Sequence, residues 1–232
     1  MAQTDRSAHK RHLKGIVILH EDREVLVVDK PPGLLTIATD RESERTAYHI
    51  LTDYVRKGNP KSRNRVFIVH RLDRETSGIL VFAKSETAKL RLQGQWEATE
   101  KRYLAVVHGR LEGKAGEITT YLAENRAHTV YSTPDTTRGR LSHTAYDVLK
   151  ETRAFSLLEV RLLTGRKHQI RVHLAEQGHP VVGDHRYGKR DEGHKRLALH
   201  ARSLSFKHPF SGKRLTFEAD VPAYFNELVG GL

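Results

Sequence analysis

The sequence predicts an α+β fold, a single domain on a mixed, mainly antiparallel sheet flanked by helices and loops. Three observations predict it. Short apolar runs rich in β-branched residues recur from Ile16 to near the C-terminus. Only a few stretches between them carry helical spacing, and no repeat or low-complexity linker divides the chain. At 232 residues it is long enough for one sizeable core.

Residues 1–15 are polar and basic without periodicity, and are expected to form a flexible arm ahead of a domain spanning 16–232. Apolar runs at 16–20 and 24–29, separated by Glu-Asp-Arg, read as two short strands. Pro31-Pro32-Gly33 cannot continue a central strand and has to turn. Ala47, Ile50, Leu51, Tyr54 and Val55 share one face of a helix over 45–57, which ends in a basic loop at 58–65. Strands at 66–69 and 78–84 pin a charged segment, His-Arg-Leu-Asp-Arg-Glu-Thr-Ser, between them.

Ser85 is placed to cap a helix running to about Ala98, with Leu92 and Trp96 on one face. A strand follows at 102–109, an exposed loop at 132–140, and a hairpin of 144–151 with 154–163 around Thr152 and Arg153. Thr164 is placed to cap a further helix, which Gly178 and Pro180 stop. Strands at 197–206 and 213–220 close the chain.

Composition narrows the function. Forty Lys and Arg against 28 Asp and Glu give a net charge of +12, a field that attracts polyanions, of which nucleic acid is the commonest. With no Cys, disulfides and thiolate zinc sites are excluded, and a reducing, cytoplasmic setting is expected. No run approaches the ~18 apolar residues of a membrane span. The N-terminal residues lack the apolar core of a secretory signal, so none is expected.

Several familiar chemistries have no motif here. The 15 His are scattered, His168 and His173 are spaced i, i+5, and no H-E-x-x-H occurs, so no metal site is expected. Neither a phosphate-binding Gly loop nor a G-x-S-x-G elbow is present. What stands out is Asp73 in its charged loop, Tyr103, and the segment opened by Thr164. There Arg166, Gln169, Ile170 and His173 fall on one helix face that is half polar. An ordinary amphipathic helix explains that face. Alternatively its first turn, with Arg166 and Lys167 beside free amides, holds a carboxylate or phosphate. Each of these residues, taken alone, also reads as structural.

Resemblance adds what spacing leaves open. "HRLDRETSGILVFAKS" resembles the central motif of the RluA-type pseudouridine synthases, H-R-L-D-x-x-T-S-G. Further matches follow in chain order: "VVDKPPGLL", "KRYLAVVHG", "RLLTGRKHQIRVHLAEQGHPVVGDHRYG" and "LALHARSLSFKHP". The resemblance implies isomerisation of uridine in RNA to pseudouridine, breaking N1–C1′ and rejoining the base through C5, without metal or organic cofactor. Asp73 would be the catalytic carboxylate, acting by attack on ribose or base, or by promoting a glycal-like intermediate. Arg166 would be its ion partner and keep it ionised. Tyr103 would pack on the target base, near C5 for the late proton removal.

A uridine within a stem has to be flipped out, and Arg71 resembles the arginine that enters the gap, a role that suits a flat guanidinium. Lys101, Lys167 and Arg171 are expected phosphate contacts, and Thr76 and Ser77 are expected to cap the turn. The expected partner is a tRNA or ribosomal RNA stem-loop, met by a monomeric protein without membrane attachment. Many relatives carry an N-terminal S4 domain. With a first strand near Ile16, the chain resembles the compact members that lack one.

Overall fold

The computed structural model describes residues 11–38, 46–188 and 193–231. Most of the expected arm lies outside them. Its end does not: Arg11–Leu13 forms an edge strand, β1, antiparallel to β2 (Ile16–Glu21). The expected α+β architecture is found. Among the described residues one sheet runs through all twelve strands, and β5 (Ser77–Ala83) with β11 (Leu199–Lys207) is its one parallel strand pair.

The strand order is β1-β2-β3-β5-β11-β6-β10-β9-β7-β8. Here β3 is Val25–Lys30, β6 Glu100–His108, β7 Ala115–Glu124, β8 Val130–Thr133, β9 Arg140–Glu151 and β10 Phe155–Leu162. Two short strands sit beside this path: β4 (Phe67–Ile68) on β5, and β12 (Arg214–Glu218) on β11.

β5 is buried along its whole length because both faces of the sheet are covered there. On one side Leu80 and Phe82 pack with Ile50 and Leu51 of α1 (Ala47–Arg56). On the other, Ile79 and Val81 pack with Ala88 and Leu92 of α2 (Glu86–Gly94). Each of the larger of these side chains contributes roughly 1.5–3 kcal/mol by leaving water, so the strand that follows the charged loop is a rigid base for it. Both helices begin on side-chain caps: Thr46 Oγ1 accepts the His49 N–H, and Ser85 Oγ accepts the Ala88 N–H. α2 ends earlier than expected and passes into a 3-10 turn at Trp96–Ala98.

Three further departures from sequence expectation concern β7 with β8, a C-terminal helix, and the helix expected from Thr164. Strands β7 and β8 pair where Gly- and Thr-rich sequence gives little apolar alternation. Part of the expected loop at 132–140 is therefore strand. A C-terminal helix, α4 (Ala223–Val229), packs Phe225 and Val229 into the core beside β6 and β10. The third departure bears on the site: the helix expected to be capped by Thr164 is α3, Gln169–Glu176, and it starts four residues later than that cap predicts. Thr164 Oγ1 is already committed, accepting the His143 N–H and donating to Gln169 Oε1. Gln169 Oε1 takes the Arg166 N–H instead, and His168 adopts a left-handed conformation (φ 54°) that no α-helix can include.

Candidate active site

The charged loop between β4 and β5 is clamped from outside its own sequence. Thr36 Oγ1 donates to the Leu72 carbonyl at 2.9 Å and accepts the Leu72 N–H at 3.2 Å. Gly33 N–H donates to the Arg74 carbonyl, and Arg74 Nε returns a bond to the Gly33 carbonyl. The buried Lys30 ammonium donates to the carbonyls of Pro31, Leu34 and Arg74. Burial lowers Lys30 to about 8 against the pull of Glu75, Asp73 and Asp29. The Pro-Pro-Gly turn is thus a cradle for the loop.

At the loop's start, His70 Nε2 accepts the Val81 N–H and its ring lies 4.4 Å from that of Trp96. At its end, Thr76 N–H closes on the Asp73 carbonyl and Ser77 Oγ bonds His200 Nδ1. Gly78, at φ +108°, lets β5 approach β11; a Cβ there would lie 2.3 Å from the Ala201 carbonyl oxygen.

This clamping aims Asp73 at a guanidinium. Arg171 NH1 donates to Asp73 Oδ2 at 3.1 Å, while its Nε and NH2 form a fork on Asp184 at 2.7 and 2.8 Å. Burial would lower Arg171, but Asp184 and then Asp73 outweigh it and hold the guanidinium above its ordinary value. Burial would likewise raise Asp184. The Arg171 fork and the N–H groups of Arg186 and Tyr187 reverse that and hold its carboxyl below the usual range. Side-chain exposure grades along the chain: 0% for Asp184, 11% for Arg171, 25% for Asp73. The network is anchored in the core and opens to solvent only at Asp73.

Asp73 lines two adjoining hollows. The smaller has Leu72, Tyr103, Ile170 and Leu199 as apolar wall, with Arg71, Arg166 and Gln169 beside them. The larger, about 510 Å³, is basic, lined by Arg71, Arg74, Lys167, Arg171 and Arg186 with His128 and His168. Tyr103 stands in the smaller hollow, and burial together with the Asp73 charge pushes its phenol up. Arg71 is exposed on the rim of both.

A single finding decides what family this cleft belongs to. The sequence pattern of the RNA pseudouridylate synthase family matches residues 24–176, which carry the loop, Tyr103 and α3. The chain belongs to that family.

Relatives agree. A Mycobacterium bovis protein named an uncharacterized RNA pseudouridine synthase is 38% identical, over 91% of this chain and 71% of its own length. The ribosomal large subunit pseudouridine synthase D of Zymomonas mobilis is 34% identical, over 88% of this chain and 69% of its own. The solved structure of human RNA pseudouridylate synthase domain containing 1 superposes with a TM-score of 0.75 at 26% identity, over 95% of this chain and 89% of that one.

The geometry of the synthase corrects the expected ion partner of Asp73. Arg166 lines the cleft, but its Nε donates to the Leu141 carbonyl at 3.3 Å; Arg171 holds the carboxylate instead. The late start of α3 is the reason, since it puts Arg171 in the first helical turn, facing inward. Arg171 is consequently not free to meet a phosphate. Nor is Lys101, whose buried ammonium donates to the Trp96 carbonyl at 3.0 Å and lies over that ring. Lys167 does reach the cleft wall, paired with Glu124.

Asp184, Tyr187, Arg186 and Lys30 escaped sequence reasoning. Asp184 and Tyr187 lie in "GDHRYG", beyond the residues that the family pattern matches and without a motif that predicts an ion pair. Gly183 at φ +75° was the available signal, because a Cβ there would fall 1.9 Å from the Arg196 carbonyl oxygen. Among the described residues no helix is long and apolar enough to cross a membrane.

Proposed function

We propose that Asp73 is the carboxylate that starts isomerisation of a flipped-out uridine in structured RNA, ribosomal RNA or tRNA. One observation carries this reading: Asp73 is the solvent-facing end of a buried Asp184–Arg171 network, aimed into a cleft with a basic rim. The net reaction moves no atoms in or out. N1–C1′ breaks, C5–C1′ forms, and the proton lost from C5 is balanced by one gained at N1. A carboxylate oriented by a fixed guanidinium suits the first step as nucleophile or base.

Tyr103 serves as the ring on which the base packs. With its phenol pushed up by burial and by Asp73, it stays protonated, which favours packing over direct proton abstraction from C5. Arg71, exposed and without a hydrogen bond to any described residue, is the side chain that fills the vacated place in the stem. Lys167 and Arg186 carry the flanking phosphates, and Arg166 contacts the RNA rather than Asp73. The Zymomonas mobilis relative, named for the ribosomal large subunit, makes ribosomal RNA the first substrate to test. The enzyme is read as a cytoplasmic monomer.

Asp73→Asn is expected to abolish pseudouridine formation while leaving RNA affinity within about twofold, because the loop's backbone clamps do not involve the carboxylate. Mapping pseudouridine in total RNA from cells carrying wild type, the variant or no gene identifies the site. Turnover persisting in Asp73→Asn would remove Asp73 from the chemistry.

A further inference from the structure

His168, whose ring approaches Asp73, has a left-handed backbone. It sits at φ 54° and ψ 15°, just before α3, where a Gly or Asn is ordinarily used. That conformation turns its imidazole inward, leaving it 12% exposed, with Nδ1 against the Tyr187 hydroxyl at 2.7 Å and Nε2 3.7 Å from Asp73 Oδ2.

The partners at the two ends of the ring point to which nitrogen carries the proton. The Tyr187 hydroxyl already accepts the Val130 N–H at 3.1 Å, and its own proton has one acceptor among the described residues, His168 Nδ1. With that O–H donated to it, Nδ1 is the acceptor and Nε2 bears the hydrogen. The other end of the ring favours the same, since a lone pair on Nε2 would face the Asp73 carboxylate, whereas an N–H is attracted to it. Burial, with Arg171, Lys167 and Arg186 nearby, outweighs Asp73 and lowers His168 to about 4, so the ring is neutral at pH 7.

Both groups that approach Asp73, Arg171 NH1 and His168 Nε2, do so at Oδ2, and Oδ1 accepts no hydrogen bond from the described residues. We infer that His168, fixed as its Nε2–H tautomer by Tyr187, is a positioning residue that ties down Oδ2 so that Oδ1 is the oxygen presented to the nucleotide. Filling of the cleft by RNA shortens the 3.7 Å separation to a hydrogen bond. The inference rests on the reading of Asp73 as the catalytic carboxylate.

The test has two parts. Histidine-selective nitrogen-15 NMR of the free enzyme at pH 7, with the His168 signal assigned from its absence in His168→Gln, is expected to show Nε2 protonated and Nδ1 bare. Tyr187→Phe is expected to convert this to a mixed tautomer. In single-turnover assays His168→Phe is expected to lose roughly 10-fold to 100-fold in kcat with KM nearly unchanged, the range of one charge-assisted hydrogen bond. His168→Gln, whose amide can still donate, is expected to recover most of it. A wild-type Nδ1–H tautomer overturns the assignment, whatever Asp73→Asn does. Full kcat in His168→Phe overturns it too, and does so alone if Asp73→Asn is dead.

Discussion

The two sides of the Asp73 loop are built on opposite principles. On the buried side polar groups are matched at fixed distances: Lys30 on three carbonyls, Thr36 on both backbone groups of Leu72, Arg171 between two carboxylates. On the open side Arg71 has no partner among the described residues, and Lys167 and Arg186 rest on exposed Glu124 and the His128 carbonyl. Burial makes an unmatched charge costly, so the inner side tolerates one arrangement. Solvent screens the outer side, leaving its cations free to follow an RNA backbone. Orientation thus comes from the inner side and adaptability from the outer. Arg166 and Arg171, five residues apart in one motif, fall on different sides.

Removing Arg171 breaks this contrast most severely. Arg171→Ala leaves Asp184, with a fully buried side chain, as an unpaired charge, which costs roughly 3–5 kcal/mol. It also releases Asp73, so pseudouridine formation should fall about 100-fold or more. Arg171→Lys keeps the charge but cannot fork onto Asp184 while reaching Asp73, and should be intermediate. Arg166→Ala should leave the melting temperature nearly unchanged and act on RNA binding. Equal effects of Arg166→Ala and Arg171→Ala on melting and turnover would erase the distinction between the two sides.

Gly78→Ala attacks the same inner side through the backbone. The added Cβ meets the Ala201 carbonyl at 2.3 Å in a positive-φ conformation, so β5 and β11 have to part where the loop ends. A loss of about 2–4 kcal/mol is expected in urea unfolding. A variant as stable as wild type would show that the close approach is not required.

How much of this was legible in the sequence follows the same division. Period and capping residues disclosed α1, α2, the hairpin of β9 and β10, and the pinned loop, because each is decided by neighbours along the chain. Resemblance supplied Asp73, Tyr103 and Arg71 as candidates. The partner of Asp73 was misassigned because Thr164 looks like a helix cap, and its hydroxyl is taken by the His143 N–H across 21 residues. The Asp184 fork and the Lys30 cradle depend on contacts that no local pattern encodes. Strands β7 and β8 were hidden for a simpler reason: their weak alternation reflects partial exposure rather than loop structure.

Acid should weaken the inner side while leaving the exposed cations charged. His70, His173 and His200 are buried and held low, at about 3, about 4 and about 4, with burial the main cause in each. Their unfolded value is about 6.5. The unfolded chain therefore binds more protons below that pH, and stability rises with pH across the window. The contribution is fully present above about 6.5 and is lost as pH falls toward about 4, at up to about 1.4 kcal/mol per pH unit for each histidine. The urea midpoint should be lower at pH 5 than at pH 7.5 with an unchanged m-value. A constant midpoint would mean that these rings are protonated in the fold.

The smallest effects sharpen the outer side. Each phosphate that a cation no longer neutralises should reduce the slope of log affinity against log salt by about 0.7–0.9. Lys167→Ala and Arg186→Ala should each do so, because their side chains line the basic hollow. Lys101→Met should not: its ammonium is turned inward onto the Trp96 carbonyl, and the apolar replacement removes a buried charge that burial already holds below its ordinary value. Binding isotherms at several salt concentrations separate the two outcomes. A reduced slope in Lys101→Met with an unchanged one in Lys167→Ala would reverse the assignment of inner and outer cations, and with it the route by which RNA approaches Asp73.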